Sequence, residues 1–359
     1  MISLQKSDLE ELIYNLEDIV KQKDYVGLGV DEDTINRLLD ELRKDEKNLK
    51  YSNDSRIDMI VKKVMDVCSD ERIKEILEKA DIKSLFENKT PSTRMKSADN
   101  FIIETGRPFL HLIQQVSDIA GCLYMSNALP EVICKNGNGM ILLEYALILI
   151  YCIERKTNES YEPPYWSIQG LMKAFDEQVD VRFTDFLIYF GGEICDATVA
   201  FLIGHEFGHQ SLGHFYELES IENCVDAEEK KKKRWKLELN ADIFGVEFAL
   251  MYIKTARRDA DCFRFLEEKE DIRENMEYRI LGIPLAFLGS KLYDERMIGE
   301  SASHPSLNTR LENVWNYLQI NGASFCNVEE LKDKYKDLCI TIDNLQKFSH
   351  LFEKINGDS

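Results

Sequence analysis

The sequence is short of basic charge. Its 359 residues carry 45 Lys and Arg against 65 Asp and Glu, a formal net charge of −20. That deficit argues against nucleic acid and anionic membrane as main partners, because both are bound through clusters of cationic side chains. A long apolar run is also lacking. The most hydrophobic stretch, Met140 to Ile153, is too short to span a bilayer and carries Glu144. It reads as a buried helix or strand, and no integral membrane segment is expected. The N-terminus, MISLQKSDLEELIYNL, has no basic start leading into an apolar run and a small-residue cleavage site, so no secretory signal is expected. The nine cysteines are odd in number and include no C-x-x-C pair. That fits free thiols in a reducing cytoplasm better than a disulfide framework. Internal repeats and low-complexity tracts are absent too. What remains is 44% hydrophobic and 31% charged, a globular composition with enough length for a sizeable core.

Two regions are expected. Residues 1–95 read as a charged helical scaffold or regulatory region, and residues 96–359 as the domain that carries the chemistry. Ser7 to Glu10 matches a capping box, followed by Leu9, Leu12, Ile13 and Leu16 at helical spacing. Further helices are predicted over Asp33–Arg43, near Ser55–Val67 and over Asp70–Ala80, with a linker at Asn88–Arg94. A turn-rich piece, Lys135–Gly139, precedes the apolar run. Asp185 to Phe190, DFLIYF, is aromatic and branched and ends at Gly191-Gly192, which predicts a strand. A helix with Asp196 as its N-cap follows. The basic run Lys230–Lys236 opens another long helix as a solvated face. Later helices are predicted over Glu274–Arg296 with a kink at Pro284, over Ser306–Leu318 and over Val328–Cys339. The expected fold class is α+β, predominantly helical, with a small sheet.

The chain has six histidines, and two of them stand in residues 205–209, His-Glu-Phe-Gly-His. At i and i+4 on a helix, His205 and His209 lie one above the other on one face. Two imidazoles so placed can hold one Zn²⁺, with Glu206 as general base toward a bound water. A catalytic zinc takes a third protein ligand and keeps one position open. Three candidates exist. Glu238 lies 29 positions after His209, on a helix able to pack antiparallel to the first. His214 lies five after His209, where a three-histidine motif needs six, and on a continuing helix it points away from the metal face. His304 is remote in sequence. Glu238 is favoured, because Asp242 follows it by one helical turn. Cys224, just after the motif, is read as a structural thiol rather than a ligand or switch, and His111 and His350 fall outside any pattern.

HEFGH followed by Glu238-Leu-Asn-Ala-Asp242 resembles the gluzincin pattern H-E-x-x-H … E-x-x-x-D. That resemblance implies a zincin-like metallopeptidase core, Glu238 as third ligand, and Asp242 orienting one of the histidines, where a carboxylate on the non-ligating ring nitrogen fixes the tautomer. Residues 303–310, SHPSLNTR, resemble the H-P … R element of the HtpX and CaaX-protease branch. There the resemblance implies that His304 donates to a developing oxyanion and that Arg310 pairs with an acid such as Asp242. The chain departs from that branch in lacking its membrane helices. The run HEFGHQSLGH is also similar to soluble ImmA/IrrE-type proteases and to the phage-exclusion protease Lit. The expectation is a cytoplasmic zinc-dependent endopeptidase with one Zn²⁺ per chain, acting on a protein or peptide, with a specific regulatory or defence target as one form of it. The alternative is a catalytically inactive peptidase fold used for binding or regulation. The complete set His205, Glu206, His209 and Glu238 separates the two, because degenerate enzymes usually lose one member.

Overall fold

The computed structural model describes residues 55–85, 93–97, 101–128, 181–256, 277–293, 298–322 and 326–357. The helices expected from Ser7 and over Asp33–Arg43, the Lys135–Gly139 turn and the apolar run Met140–Ile153 lie outside the described residues. The chain divides into two compact units, Met1–Met59 and Ile60–Ser359. Of the first, only residues 55–59 are described.

Helix α1 spans Ser55–Val67 and α2 spans Glu71–Lys79, where the apolar periodicity places them. Asp70 caps α2, its carboxylate accepting from the backbone N–H groups of Arg72 and Ile73, two of the donors that a helix start leaves unpaired. Three short strands follow: β1 (Asp81–Leu85), β2 (Thr93–Ser97) and β3 (Ile102–Gly106). They form one sheet in the order β1-β3-β2, with β1 parallel and β2 antiparallel to β3. Thr93 and Arg94, expected in a linker, belong to β2. Phe101, at the entry to β3, takes the left-handed φ of 43°. Burial of its ring against Phe207 offsets that strain.

The core is helical: α3 (Arg107–Ala128), α4 (Val181–Ser211), α5 (His214–Glu222) and α6 (Ala227–Ala256), then α7 (Glu277–Ile280), α8 (Gly282–Tyr293), α9 (Leu307–Asn321) and α10 (Val328–Gly357). The break between α7 and α8 has a cause in Pro284. It has no N–H for the carbonyl of Ile280 four residues back, and the helix interrupts at Leu281. Ser306 caps α9 by accepting from Thr309 N–H. α10 continues well past Cys339.

The central pair is α4 and α6. Asp196 meets Tyr252, His205 meets Asp242, and His209 meets Glu238. Partner numbers fall along α6 as they rise along α4, so the two helices run antiparallel. Glycines set how closely they approach. A Cβ at Gly204 would lie 2.5 Å from Cβ of Phe248, and one at Gly245 would lie 2.8 Å from the carbonyl oxygen of Phe201. Phe207 stacks on Phe248 of α6 and meets Phe101 edge-on. Phe207 and Gly208 therefore seat α4 closely on α6, a Cβ at Gly208 lying 2.9 Å from Cβ of Phe244, while His205 and His209 meet Asp242 and Glu238 of the same helix.

Two expectations fail here. Residues 185–190 form the early turns of α4, not a strand, because so short an apolar run has no periodicity that separates a strand from a buried helix segment. Gly191, expected to end the strand, is instead a crossing point: a Cβ at Gly121 of α3 would lie 2.9 Å from Gly191 N. Asp196 is therefore mid-helix and no N-cap. It is buried and accepts a hydrogen bond of 2.9 Å from the Tyr252 hydroxyl.

Candidate active site

The antiparallel pair brings three ligand-type atoms to one point. Nε2 of His205 and Nε2 of His209 are 3.2 Å apart. Glu238 reaches across from α6, with Oε2 at 3.5 Å from His205 Nε2 and Oε1 at 3.6 Å from His209 Nε2. These are the described residues whose side chains cluster as a possible metal site. Four ligands at about 2.0–2.1 Å around a tetrahedral ion stand about 3.3 Å from one another. The Nε2–Nε2 separation is close to that edge, each Nε2 stands near a different oxygen of the one Glu238 carboxylate, and the donor set of two imidazole nitrogens and a carboxylate fits Zn²⁺.

The outer nitrogens are held as well. Nδ1 of His205 is 3.0 Å from Oδ1 of the fully buried Asp242. Arg310 of α9 clasps the same carboxylate with two bonds, Nε to Oδ2 at 2.9 Å and a terminal nitrogen to Oδ1 at 2.6 Å. That bidentate pairing fixes both oxygens. Arg310 also lies 3.3 Å from His205 Nδ1, but a protonated Nδ1 bonded to Asp242 has no lone pair to accept with, so the short bonds to Asp242 define the arrangement. Asn313 adds a bond from its amide to the carbonyl of Leu239, which pins α9 to α6. Nδ1 of His209 faces Nδ1 of His214 at 2.9 Å.

Electrostatics divides the two histidines. Burial pulls His205 down, but the bonds to Asp242 and Glu238 outweigh it and raise its pKa to about 9. Burial, and then the charge on His205, lowers His209 to about 3. Glu238 and Asp242 are buried, which opposes their ionisation, yet His205 and Arg310 hold both below the ordinary carboxylate range. Among protein atoms alone, one proton on His205 answers the converging lone pairs and carboxylate. Burial also lowers His214.

Glu206 sits between the two histidines in sequence, on α4, and is largely buried. Its charge contributes to raising the pKa of Arg310. His304 stands at the rim, its side chain 54% exposed, with Nε2 3.6 Å from Oε1 of Glu238 and Nδ1 2.8 Å from the Ser303 hydroxyl. Its loop is fastened to α6. The Trp235 indole donates to the carbonyl of Ser301 at 3.0 Å, Lys231 pairs with Glu300 at 3.4 Å, and Lys231 also lies over the Trp235 ring. So part of the basic run Lys230–Lys236 ties down neighbours: Lys230 and Arg234 both bond Glu222 at the end of α5. Cys224 lies in the turn before α6, its thiol toward the carbonyl of Asp226, outside the cluster.

The structure thus gathers His205, His209, Glu238, Asp242, Arg310 and His304 around one point. His214, read from sequence as pointing away, joins them. The signal that could have placed it is Gly213. A glycine just past the motif ends the helix and lets the next residue turn back, and Gly213 has φ 70° and ψ 26°.

No curated protein and no solved structure matches the chain. Residues 177–329, which contain every residue of this cluster, match the model of a family of peptidases, Peptidase U49.

Proposed function

We propose that the protein is a zinc-dependent endopeptidase of gluzincin type, with a zincin-like core in which His205, His209 and Glu238 hold one Zn²⁺. The observation that carries this reading is the convergence of two Nε2 atoms and a carboxylate at separations that suit a tetrahedral ion. The likeness to a peptidase family over the same residues supports the reaction class. The quartet His205, Glu206, His209 and Glu238 is complete, which favours an enzyme over a binding module.

A zinc ion at this point supplies Lewis acidity, polarising a scissile carbonyl and making water more acidic. The protein supplies the rest. Glu206 takes the proton of the attacking water and passes it to the leaving amine. His304, at the exposed rim, donates to the oxygen that gains charge at the attacked carbon. Asp242 keeps the proton of His205 on Nδ1 and so aims a bare Nε2 inward, while Arg310 keeps Asp242 ionised and in place. Five described cysteines are free thiols, in keeping with action in a reducing cytoplasm.

The test is Glu206→Gln, which removes the base and keeps the shape. Zinc content stays at the wild-type level, and cleavage of a denatured protein substrate falls by about 10²–10⁴-fold. Unchanged cleavage would show that Glu206 is not the base.

A further inference from the structure

The proposed reaction leaves His214 without a part. It is 1% exposed, stands at the first position of α5, and its Nδ1 meets His209. We propose that His214 is a positioning residue of the metal centre: its Nδ1 accepts the Nδ1–H of His209 and so holds His209 in the tautomer that presents a bare Nε2 to the ion. This rests on the ligand set proposed above and extends it to an outer partner.

Nδ1 of His214 and Nδ1 of His209 stand 2.9 Å apart. Two ring nitrogens at that distance bond only when one carries a proton and the other does not. The rings are 5.0 Å apart between centroids and inclined by 75°, so the contact is edge to edge and not a stack. If His214 were the donor, the proton of a neutral His209 would sit on Nε2. It would then point at His205 Nε2, 3.2 Å away, and the nitrogen could not ligate. If His209 is the donor, its Nε2 lone pair faces His205 and Glu238 and the site is complete. Burial of His214 keeps water from competing for the Nδ1 proton of His209.

The fold places His214 there by a specific device. α4 ends at Ser211, Gly213 donates to the carbonyl of Gln210 at 3.1 Å, and its left-handed conformation reverses the chain. Tyr216 N–H then bonds the Gly213 carbonyl and α5 starts. Five residues after His209 the chain has turned back on the motif. The two ligating histidines are thus braced unequally. His205 leans on a carboxylate that is itself held by a guanidinium, and His209 leans on a neutral ring. An outer partner of a ligating histidine typically contributes about 10–100-fold in metal affinity, and for His209 that partner is His214.

The experiment uses the full chain and zinc alone, with affinity read by competition against a chromophoric chelator. His214→Ala removes the acceptor. His214→Asn restores one, because Oδ1 of asparagine sits where Nδ1 of histidine sits. The expected result is a zinc affinity lowered about 10–100-fold in His214→Ala and largely recovered in His214→Asn, with melting curves confirming that both fold. Wild-type affinity in His214→Ala, or equal losses in both variants, would overturn the assignment. The ¹⁵N spectrum of histidine rings in the zinc-loaded wild type decides the matter without any variant: His209 is protonated at Nδ1, with a coupling across the bond to His214 Nδ1. A proton on Nε2 of His209 overturns it. Failure of the ligand set looks different, because it appears as a wild type that takes up no zinc and brings this inference down with it. Failure of the His214 role alone leaves the wild type binding zinc with His209 otherwise braced.

Discussion

His205 and His209 stand one helical turn apart, yet their protonation chemistry diverges. His205 has an anionic partner on each ring nitrogen and keeps its proton up to about pH 9. His209 is buried beside that charge and stays neutral. A zinc ion must therefore displace one proton, the one on His205. The sign follows: His205 holds that proton more firmly as the solution is acidified, and binding weakens. Between about pH 8 and about pH 6 the zinc affinity of the metal-free protein falls by about tenfold per unit. Chelator-competition titrations measure it, and an affinity that stays flat across that range contradicts the assignment. At this scale much was legible in the sequence. The i, i+4 spacing of HEFGH needs only a helix to bring two imidazoles to one face, and Glu238 with Asp242 needs only a second helix. His214 was hidden because its position depends on where α4 stops, and a helix that ran on would have carried it to the far side.

Among the elements, the site depends on how closely α4 and α6 lie. Glu238 and Asp242 reach His209 and His205 only because Gly204, Gly208 and Gly245 remove Cβ atoms from the crossing. A Cβ at Gly245 would lie 2.8 Å from the Phe201 carbonyl oxygen and 3.2 Å from His205 N. Gly245→Val therefore destabilises the fold by about 1–3 kcal/mol through overpacking, and it weakens zinc by moving Glu238 away from the histidines. Gly299→Val, where a Cβ meets nothing within 4 Å, changes neither. Urea melts and zinc titrations of the two variants check this, and a Gly245→Val protein with wild-type stability and zinc affinity contradicts it. Helices announced by caps and periodicity, such as α2 behind Asp70 and α9 behind Ser306, were readable from local chemistry. The segment 185–190 was not. Its residue types suit a strand, but its structure is set by α4 continuing through Gly191 where α3 crosses, a tertiary contact that no local pattern records.

For the whole molecule, the charge balance is acidic, no described helix is long and apolar enough to cross a membrane, and the clustered side chains sit in one stretch. Residues from α4 to α9 contain Glu206, the clustered ligand-type atoms and the groups that contact them, and the peptidase-family match covers the same stretch. Everything proposed for the reaction passes through the ion that His205, His209 and Glu238 would share. The most direct measurement is the metal content of the purified full-length protein beside Glu238→Ala. The wild type is expected to hold about one zinc per chain and the variant to lose most of it. A wild type without tightly held zinc, or a variant that holds as much as the wild type, would contradict it.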